Sequence, residues 1–265
     1  MRIVNKIYDI KGKINTDIVL ISDIHYYSKK DIKHLNKVLD KIKQINPKYI
    51  CISGDIIDEA YVLNIEEFIT WIKKLSKISY VLIILGNHEY YINKKRKKFG
   101  LSKEFINKLK QISKVYLLDN RNVVLSDINF IGITLPIEYY LKRKNIDTYL
   151  NCINSMKDKN NILLCHSSLD IVNSKVLKEL GIDLILSGHT HGGATPKIFR
   201  PLLKTKGLIS PDMKLFPSNV YGNIKVDNTN IIITSGITVV SHLNKFRLLK
   251  HFFSSEIVYL KIKAD

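Results

Sequence analysis

Short runs of Ile, Val and Leu recur along this 265-residue chain and alternate with helix-period segments. The runs cover 18–21, 49–52, 81–85, 123–125, 129–133, 162–165 and 184–186. They are too short for helices and apolar without interruption, which predicts strands buried on both faces. Between them, apolar residues fall at helical spacing. Ile32, Leu35, Val38, Leu39, Ile42 and Ile45 form one stripe, stopped by Pro47. Further stripes are Ile65–Phe68–Ile69–Ile72–Leu75, Phe105–Ile106–Leu109–Ile112, Tyr149–Leu150–Ile153–Met156 and Val176–Leu177–Leu180, the last closed by Gly181. These stripes read as core faces. The final third changes to strand-like segments at 224–226, 231–234 and 257–262. A βαβα pattern with a strand-rich close predicts one α/β domain over residues 1–265.

Composition excludes several classes. Hydrophobic residues make up 45% and charged residues 25%, ordinary values for a globular protein and unlike a disordered or fibrous chain. No run approaches the roughly 18 apolar residues of a membrane span, and charges interrupt the first twenty positions, unlike a secretory signal. The expected location is the cytoplasm. The net charge is +18, but only six of the 42 cations are Arg (positions 2, 96, 121, 143, 200 and 247), with no cluster of cations and aromatics. Specific nucleic-acid binding is therefore not expected. The basic run at 94–98 reads as a solvated surface. Cys51, Cys152 and Cys165 are odd in number and lack Cys-x-x-Cys spacing, so reduced thiols are expected, with Cys51 and Cys165 in the core.

The chemistry lies immediately after the strands. The apolar runs end in Ser22-Asp23-Ile24-His25, Gly54-Asp55-Ile56-Ile57-Asp58, Gly86-Asn87-His88-Glu89, His166, and Gly188-His189-Thr190-His191-Gly192-Gly193. Ligand sites of α/β sheets gather beyond the carboxyl ends of strands, so these segments converge in space. Five of the eight histidines fall within them; His34, His242 and His251 do not and read as surface or packing residues. In Asp23-x-His25 and His189-x-His191, positions i and i+2 project to the same side and can grip one cation. Leaving His88 aside, the set is Asp23, His25, Asp55, Asn87, His166, His189 and His191. A mixed nitrogen and oxygen shell suits Mn, Fe or Zn better than Ca or Mg. Seven donors exceed the needs of one ion; two divalent ions sharing a carboxylate account for the number.

Asp-x-His, Gly-Asp-x-x-Asp, Gly-Asn-His-Glu, a single His after a strand and Gly-His-Thr-His, in this order, resemble the calcineurin-like metallophosphoesterase superfamily. The doubled glycine of Gly-His-Thr-His-Gly-Gly is most similar to its bacterial phosphodiesterase branch. The resemblance covers about residues 17–193 and implies a two-layer β-sandwich flanked by helices, an αββα arrangement. It implies that Asp23, His25, Asp55 and His191 hold one metal. Asp55 bridges to a second held with Asn87, His166 and His189, and Asp58 supports the site from behind. His88 is implied as the general acid on the leaving oxygen. Ions about 3.5–4 Å apart clamp phosphate oxygens and turn a bridging water into hydroxide near neutral pH.

The expected activity is hydrolysis of a phosphodiester, with Mn the favoured metal. Phosphomonoester or phosphoprotein hydrolysis, and a non-catalytic scaffold on the same fold, are the alternatives. The sequence departs from the family pattern at Ala194, where Gln is frequent, at Ser255, where Pro is common, and in lacking the N-terminal anchor of many branch members. Residues 196–219 mix Ile198, Phe199, Leu202, Leu203, Leu208, Ile209, Met213, Leu215 and Phe216 with Arg200, Lys204, Lys206 and Lys214. That mixture suits a lipid-linked substrate or peripheral membrane contact, and equally an ordinary loop tucked onto the sandwich.

Overall fold

The computed structural model describes residues 2–26, 29–57, 65–90, 103–142, 146–151, 153, 155–156, 159–169, 171–211, 213–237 and 255–264. The chain begins with β1 (Ile3–Gly12), β2 (Thr16–Ile21), α1 (Lys29–Ile45), β3 (Tyr49–Ser53), α2 (Ile65–Ser76) and β4 (Tyr80–Ile84). It continues through α3 (Lys103–Lys110), β5 (Val115–Leu117), β6 (Arg121–Leu125), β7 (Ile128–Ile133), α4 (Ile137–Lys142), α5 (Asp147–Leu150) and β8 (Asn160–Cys165). It closes with β9 (Leu184–Ser187), α6 (Arg200–Leu203), β10 (Gly222–Val226), β11 (Thr229–Ile233) and β12 (Ser255–Ala264). Among the described residues these strands form two six-stranded sheets, ordered β1-β12-β2-β3-β4-β5 and β10-β11-β9-β8-β7-β6.

Side-chain alternation explains why the runs are apolar throughout. In β2, Ile18 and Leu20 face the second sheet, with Cys51, Leu82 and Ile84 beside them and Phe130, Leu164, Leu186 and Ile232 opposite. Their neighbours Val19 and Ile21 point the other way, onto Leu35, Val38 and Ile42 of α1 and Phe68 and Ile72 of α2. The second sheet repeats the device, with Ile131, Leu163, Ile185 and Ile231 packed on its outer side against Tyr139, Leu150 and Leu177. Strands covered on both faces cannot alternate apolar with polar residues. The result is the αββα sandwich.

Most predicted elements form. α1 stops at Asn46, whose backbone is left-handed (φ 51°) and whose N–H returns to the Ile42 carbonyl, just ahead of Pro47. The Trp71 indole of α2 donates to the Leu35 carbonyl of α1 at 2.9 Å. The fourth stripe yields only the four residues of α5, and the fifth, Val176–Leu177–Leu180, forms turns rather than a helix. Its three apolar residues make too short a helix to be stable, and Gly181 (φ 60°) bends the chain straight into β9. Cys51 and Cys165 are buried free thiols, and burial pushes the Cys165 thiol up to about 12. His34 lies 2.7 Å from the Ser255 hydroxyl and serves packing, as expected. Cys152, the run at 94–98, His242 and His251 lie outside the described residues. Among the described residues, no helix is long and apolar enough to cross a membrane.

Candidate metal centre

β2, β3 and β4 stand side by side in parallel in the first sheet, and β8 and β9 do so in the second. Their carboxyl ends release the five motif segments at one edge of the sandwich. The loops after β2 and β3 stay paired beyond the strands: Asp23 N–H donates to the Gly54 carbonyl at 3.1 Å and His25 N–H to the Asp55 carbonyl at 3.0 Å. In the second sheet, Gly188 N–H donates to the His166 carbonyl at 3.0 Å. The two sheets meet where His166 Nδ1 lies 2.6 Å from the Ser53 carbonyl.

Asp55 is the hub. Its Oδ2 lies 3.1 Å from His166 Nε2, 3.7 Å from His25 Nε2 and 4.0 Å from His88 Nε2. Its Oδ1 accepts the His88 backbone N–H at 2.9 Å. Asp23 sits beside it, Oδ1 3.7 Å from His191 Nε2, and both its oxygens accept the His189 backbone N–H at 3.1 Å. Candidate ligand atoms cluster within 4.8 Å of one another in three overlapping groups. These are Asp23–His25–His191, His25–Asp55–His88 and Asp55–His166–His189. Asn87 is buried between Gly86, which packs on the Asp55 carboxylate, and His88, which touches it. Six of the seven sequence-nominated donors, and His88, therefore come to one place, with Asn87 next to His88 in the chain. Asp58 lies outside the described residues.

Close approach explains two of the glycines. A Cβ on Gly86 would run into the Asp55 carboxylate, and one on Gly188 into Ser22 and Asp23. Side chains there would push the carboxylates apart. The backbone itself is strained: Asp23, His25, Asp55, His189 and His191 all adopt positive φ, between 46° and 69°. Asp and His tolerate this region better than most residues, yet each costs on the order of 1–3 kcal/mol and persists only where the surroundings hold it.

Glu89 supplies that hold for the loop bearing Asp55, and sequence reasoning gave it no role. Its carboxylate is 1% exposed and accepts four backbone N–H groups: Gly86 at 2.5 Å, Asp55 at 3.1 Å, Ile56 at 2.8 Å and Ile57 at 3.1 Å. It ties the loop after β4 to the loop after β3. Its one sequence signal was its place at the end of Gly-Asn-His-Glu. Tyr140 was missed too; its ring packs 5.1 Å from that of His189, and its buried hydroxyl has no hydrogen-bond partner among the described residues.

The electrostatics are those of a cation site. Burial would raise the Asp55 carboxyl, but His166, His25 and His88 outweigh it and hold it well below the usual carboxylate range. Burial would lower His166, yet Asp55 and Asp23 raise it to about 9. Burial, reinforced by His166, drives His189 down to about 3, and burial also lowers His191. Burial and the Asp55 charge raise Glu89 to about 7. Asn87 Oδ1 and His191 Nδ1 are buried without hydrogen-bond partners among the described residues. Buried acceptors left unpaired are costly. Imidazole, amide and carboxylate donors converging in this way fit divalent transition-metal ions.

Fold and site together place a cluster of metal-ligating side chains at the carboxyl edge of an αββα sandwich. The family model described as calcineurin-like phosphoesterase matches residues 16–193, and the chain belongs to that family. It is 30% identical over 184 residues to an uncharacterized metallophosphoesterase of Helicobacter pylori, covering 66% of this chain and 44% of that one. A Campylobacter jejuni metallophosphoesterase is 29% identical over 184 residues, covering 68% and 45%. The Bacillus subtilis protein YpbG is 28% identical over 224 residues, covering 82% and 77%. The chain thus spans less than half the length of the first two relatives. The matched residues 16–193 enclose every nominated ligand, from Asp23 to His191.

Proposed function

We propose that this chain hydrolyses phosphodiesters with a pair of divalent transition-metal ions, Mn being favoured. One ion would be held by Asp23, His25, Asp55 and His191, and the other by Asp55, Asn87, His166 and His189. When bound, such a pair supplies charge stabilisation at the phosphoryl oxygens and a nucleophile at neutral pH. Asp55, reached by three imidazoles, would be the shared ligand. Glu89, itself buried, holds the Asp55 loop in place.

The observation that carries the reading is the placement of His88. Its side chain is 27% exposed, its Nε2 lies 4.0 Å from Asp55 Oδ2, and its ring stands edge-on to that of His25 at 4.5 Å. It is an imidazole on the solvent side of the shared carboxylate, where a leaving alkoxide would need a proton. The departing oxygen of a phosphodiester takes up such a proton as its bond to phosphorus breaks.

Turnover of bis-p-nitrophenyl phosphate against p-nitrophenyl phosphate, in Mn, tests it with Asp55→Asn alongside. Diester hydrolysis lost in the variant supports the reading. Faster hydrolysis of the monoester replaces it with a phosphomonoesterase, and turnover of neither without bound metal replaces it with a scaffold.

A further inference from the structure

Among the described residues, nine large hydrophobic side chains are exposed, and seven of them lie between residues 198 and 216. Leu202 is 79% exposed, Met213 78%, Leu215 69%, Ile198 68% and Phe216 66%. Scattered exposed apolar residues need no explanation, whereas their concentration in one segment does.

This segment is built, not loose. Residues 207–211 and 213–217 form the two sides of a small hairpin. Gly207 N–H donates to the Pro217 carbonyl at 2.9 Å, Phe216 N–H to Leu208 at 2.9 Å, and Ser210 N–H to Lys214 at 3.0 Å. Ile209 and Leu215 pair across it. Its base rests on the metal-site loop: Leu208 N–H and Ile209 N–H both donate to the Gly193 carbonyl, at 2.8 and 3.1 Å. Gly193 and Gly207 approach so closely that a Cβ on either would come within 2.5 Å of the other's Cα. The second glycine after His191 therefore seats the hairpin. The neighbouring α6 is anchored by Arg200, whose guanidinium lies over the Tyr221 ring at 4.6 Å, 3.2 Å from the Ser235 hydroxyl and 3.5 Å from buried Glu256. Fixed at both points, the segment still turns its apolar side chains to water.

The same segment carries Arg200, Lys204, Lys206 and Lys214 against one acid, Asp212. Lys204, Lys206 and Lys214 are exposed beside the apolar tips. A second copy of this chain would bring cations against cations across such a face. A bilayer carrying anionic lipid meets both features at once, taking the apolar tips below its headgroups and the lysines at their level. The paired backbone of the hairpin suits that boundary, since its polar groups need no water.

We propose that residues 198–216 form a docking face for an anionic phospholipid bilayer, seated against the loop that bears His189 and His191. The proposal does not depend on which ester the metal centre hydrolyses.

Flotation of the full chain with extruded vesicles, of phosphatidylcholine alone or with about 30% phosphatidylglycerol at about 0.1 M salt, tests it. The wild type is expected to float with the anionic vesicles and not with the neutral ones. The double variant Leu215→Ser and Phe216→Ser is expected to lose roughly tenfold or more in partitioning. Lys204→Glu with Lys206→Glu is expected to lose the preference for phosphatidylglycerol. Thermal melts and far-ultraviolet circular dichroism check that both variants fold. Equal binding to both vesicle types, binding to neither, or undiminished binding by the serine variant would overturn the proposal. So would a wild-type dimer in light scattering that the serine variant converts to monomer, because the apolar face would then belong to a second copy.

Discussion

Two neighbouring regions break the ordinary partition of side chains in opposite directions. The loops after β2, β3, β4, β8 and β9 bury carboxylates, imidazoles and an amide: Asp23 is 0% exposed, Asp55 2% and His166 0%. The hairpin beyond His191 does the reverse and exposes Leu, Met and Phe. Each arrangement is unfavourable for an isolated chain in water, and each is held by hydrogen-bonded backbone. In the first region the holding group is Glu89, in the second the Gly193–Gly207 contact and Arg200. The regular sandwich between them, with Ile18, Leu20, Phe130 and Leu164 fully or almost fully buried, supplies the stability both consume. A buried cluster of carboxylates and imidazoles asks for cations, and an apolar tip without cover asks for a non-aqueous surface.

The largest expected effect breaks the first region alone. Asp55→Asn removes the carboxylate reached by His25, His88 and His166, and is expected to cost more than about a hundredfold in phosphoesterase activity, since even residues behind a metal's own ligands cost 10–100-fold. Bound metal, measured by elemental analysis, should fall below two ions per chain. Vesicle flotation should be unchanged, and a loss of both together would show the regions to be coupled.

Glu89→Ala comes next. It leaves four buried N–H groups, on Gly86, Asp55, Ile56 and Ile57, with no acceptor. A cost of about 3 kcal/mol or more in denaturant unfolding is expected, because each buried unsatisfied donor costs roughly 1–3 kcal/mol. Glu89→Gln should fall between, keeping one oxygen for two of the donors and turning an amide N–H₂ toward the others. A melt unchanged by Glu89→Ala would mean that the strained loops are held by something else.

How far the sequence discloses all this differs between elements. The sheet centres and α1–α3 are legible because burial on both faces leaves uninterrupted Ile, Val and Leu, and because α1 carries its own stop at Asn46-Pro47. β1 is not, since its edge position leaves Asn5, Lys6, Ile7 and Asp9 exposed and breaks the apolar pattern. It forms through a ten-residue parallel pairing with β12, some 250 positions away. β5 is too short to register, with three residues. The candidate metal donors are legible because their motifs stand directly after apolar runs. Glu89 and Tyr140 are not, because their partners lie far along the chain: Glu89 reaches back 32–34 positions, and Tyr140 packs on His166 and His189. The glycine after Gly192 showed as a motif, but its reason, the seat for Gly207, is visible only in three dimensions.

A smaller effect sharpens the contrast from inside the polar region. The Tyr140 hydroxyl is buried without a hydrogen-bond partner among the described residues, and burial holds its pKa well above that of an ordinary phenol. Tyr140→Phe keeps the ring on His189 and removes the unpaired group. Metal-free protein is expected to gain about 1 kcal/mol in unfolding free energy. A loss instead would mean that the hydroxyl has a partner in solution.

The smallest effect belongs to the hairpin. Leu215 and Phe216 are 69% and 66% exposed, so Leu215→Ser with Phe216→Ser removes little buried surface and no backbone hydrogen bond. Unfolding in buffer is expected to change by no more than about 0.5 kcal/mol, as for surface substitutions generally. In the presence of anionic vesicles the wild type should gain stability by mass action, because a surface that binds only the folded hairpin favours the folded state. The serine variant should not. Equal stability in buffer with a difference only on vesicles would assign these side chains to the interface. A marked loss in buffer would instead assign them to the fold, with the hairpin an ordinary loop tucked onto the sandwich.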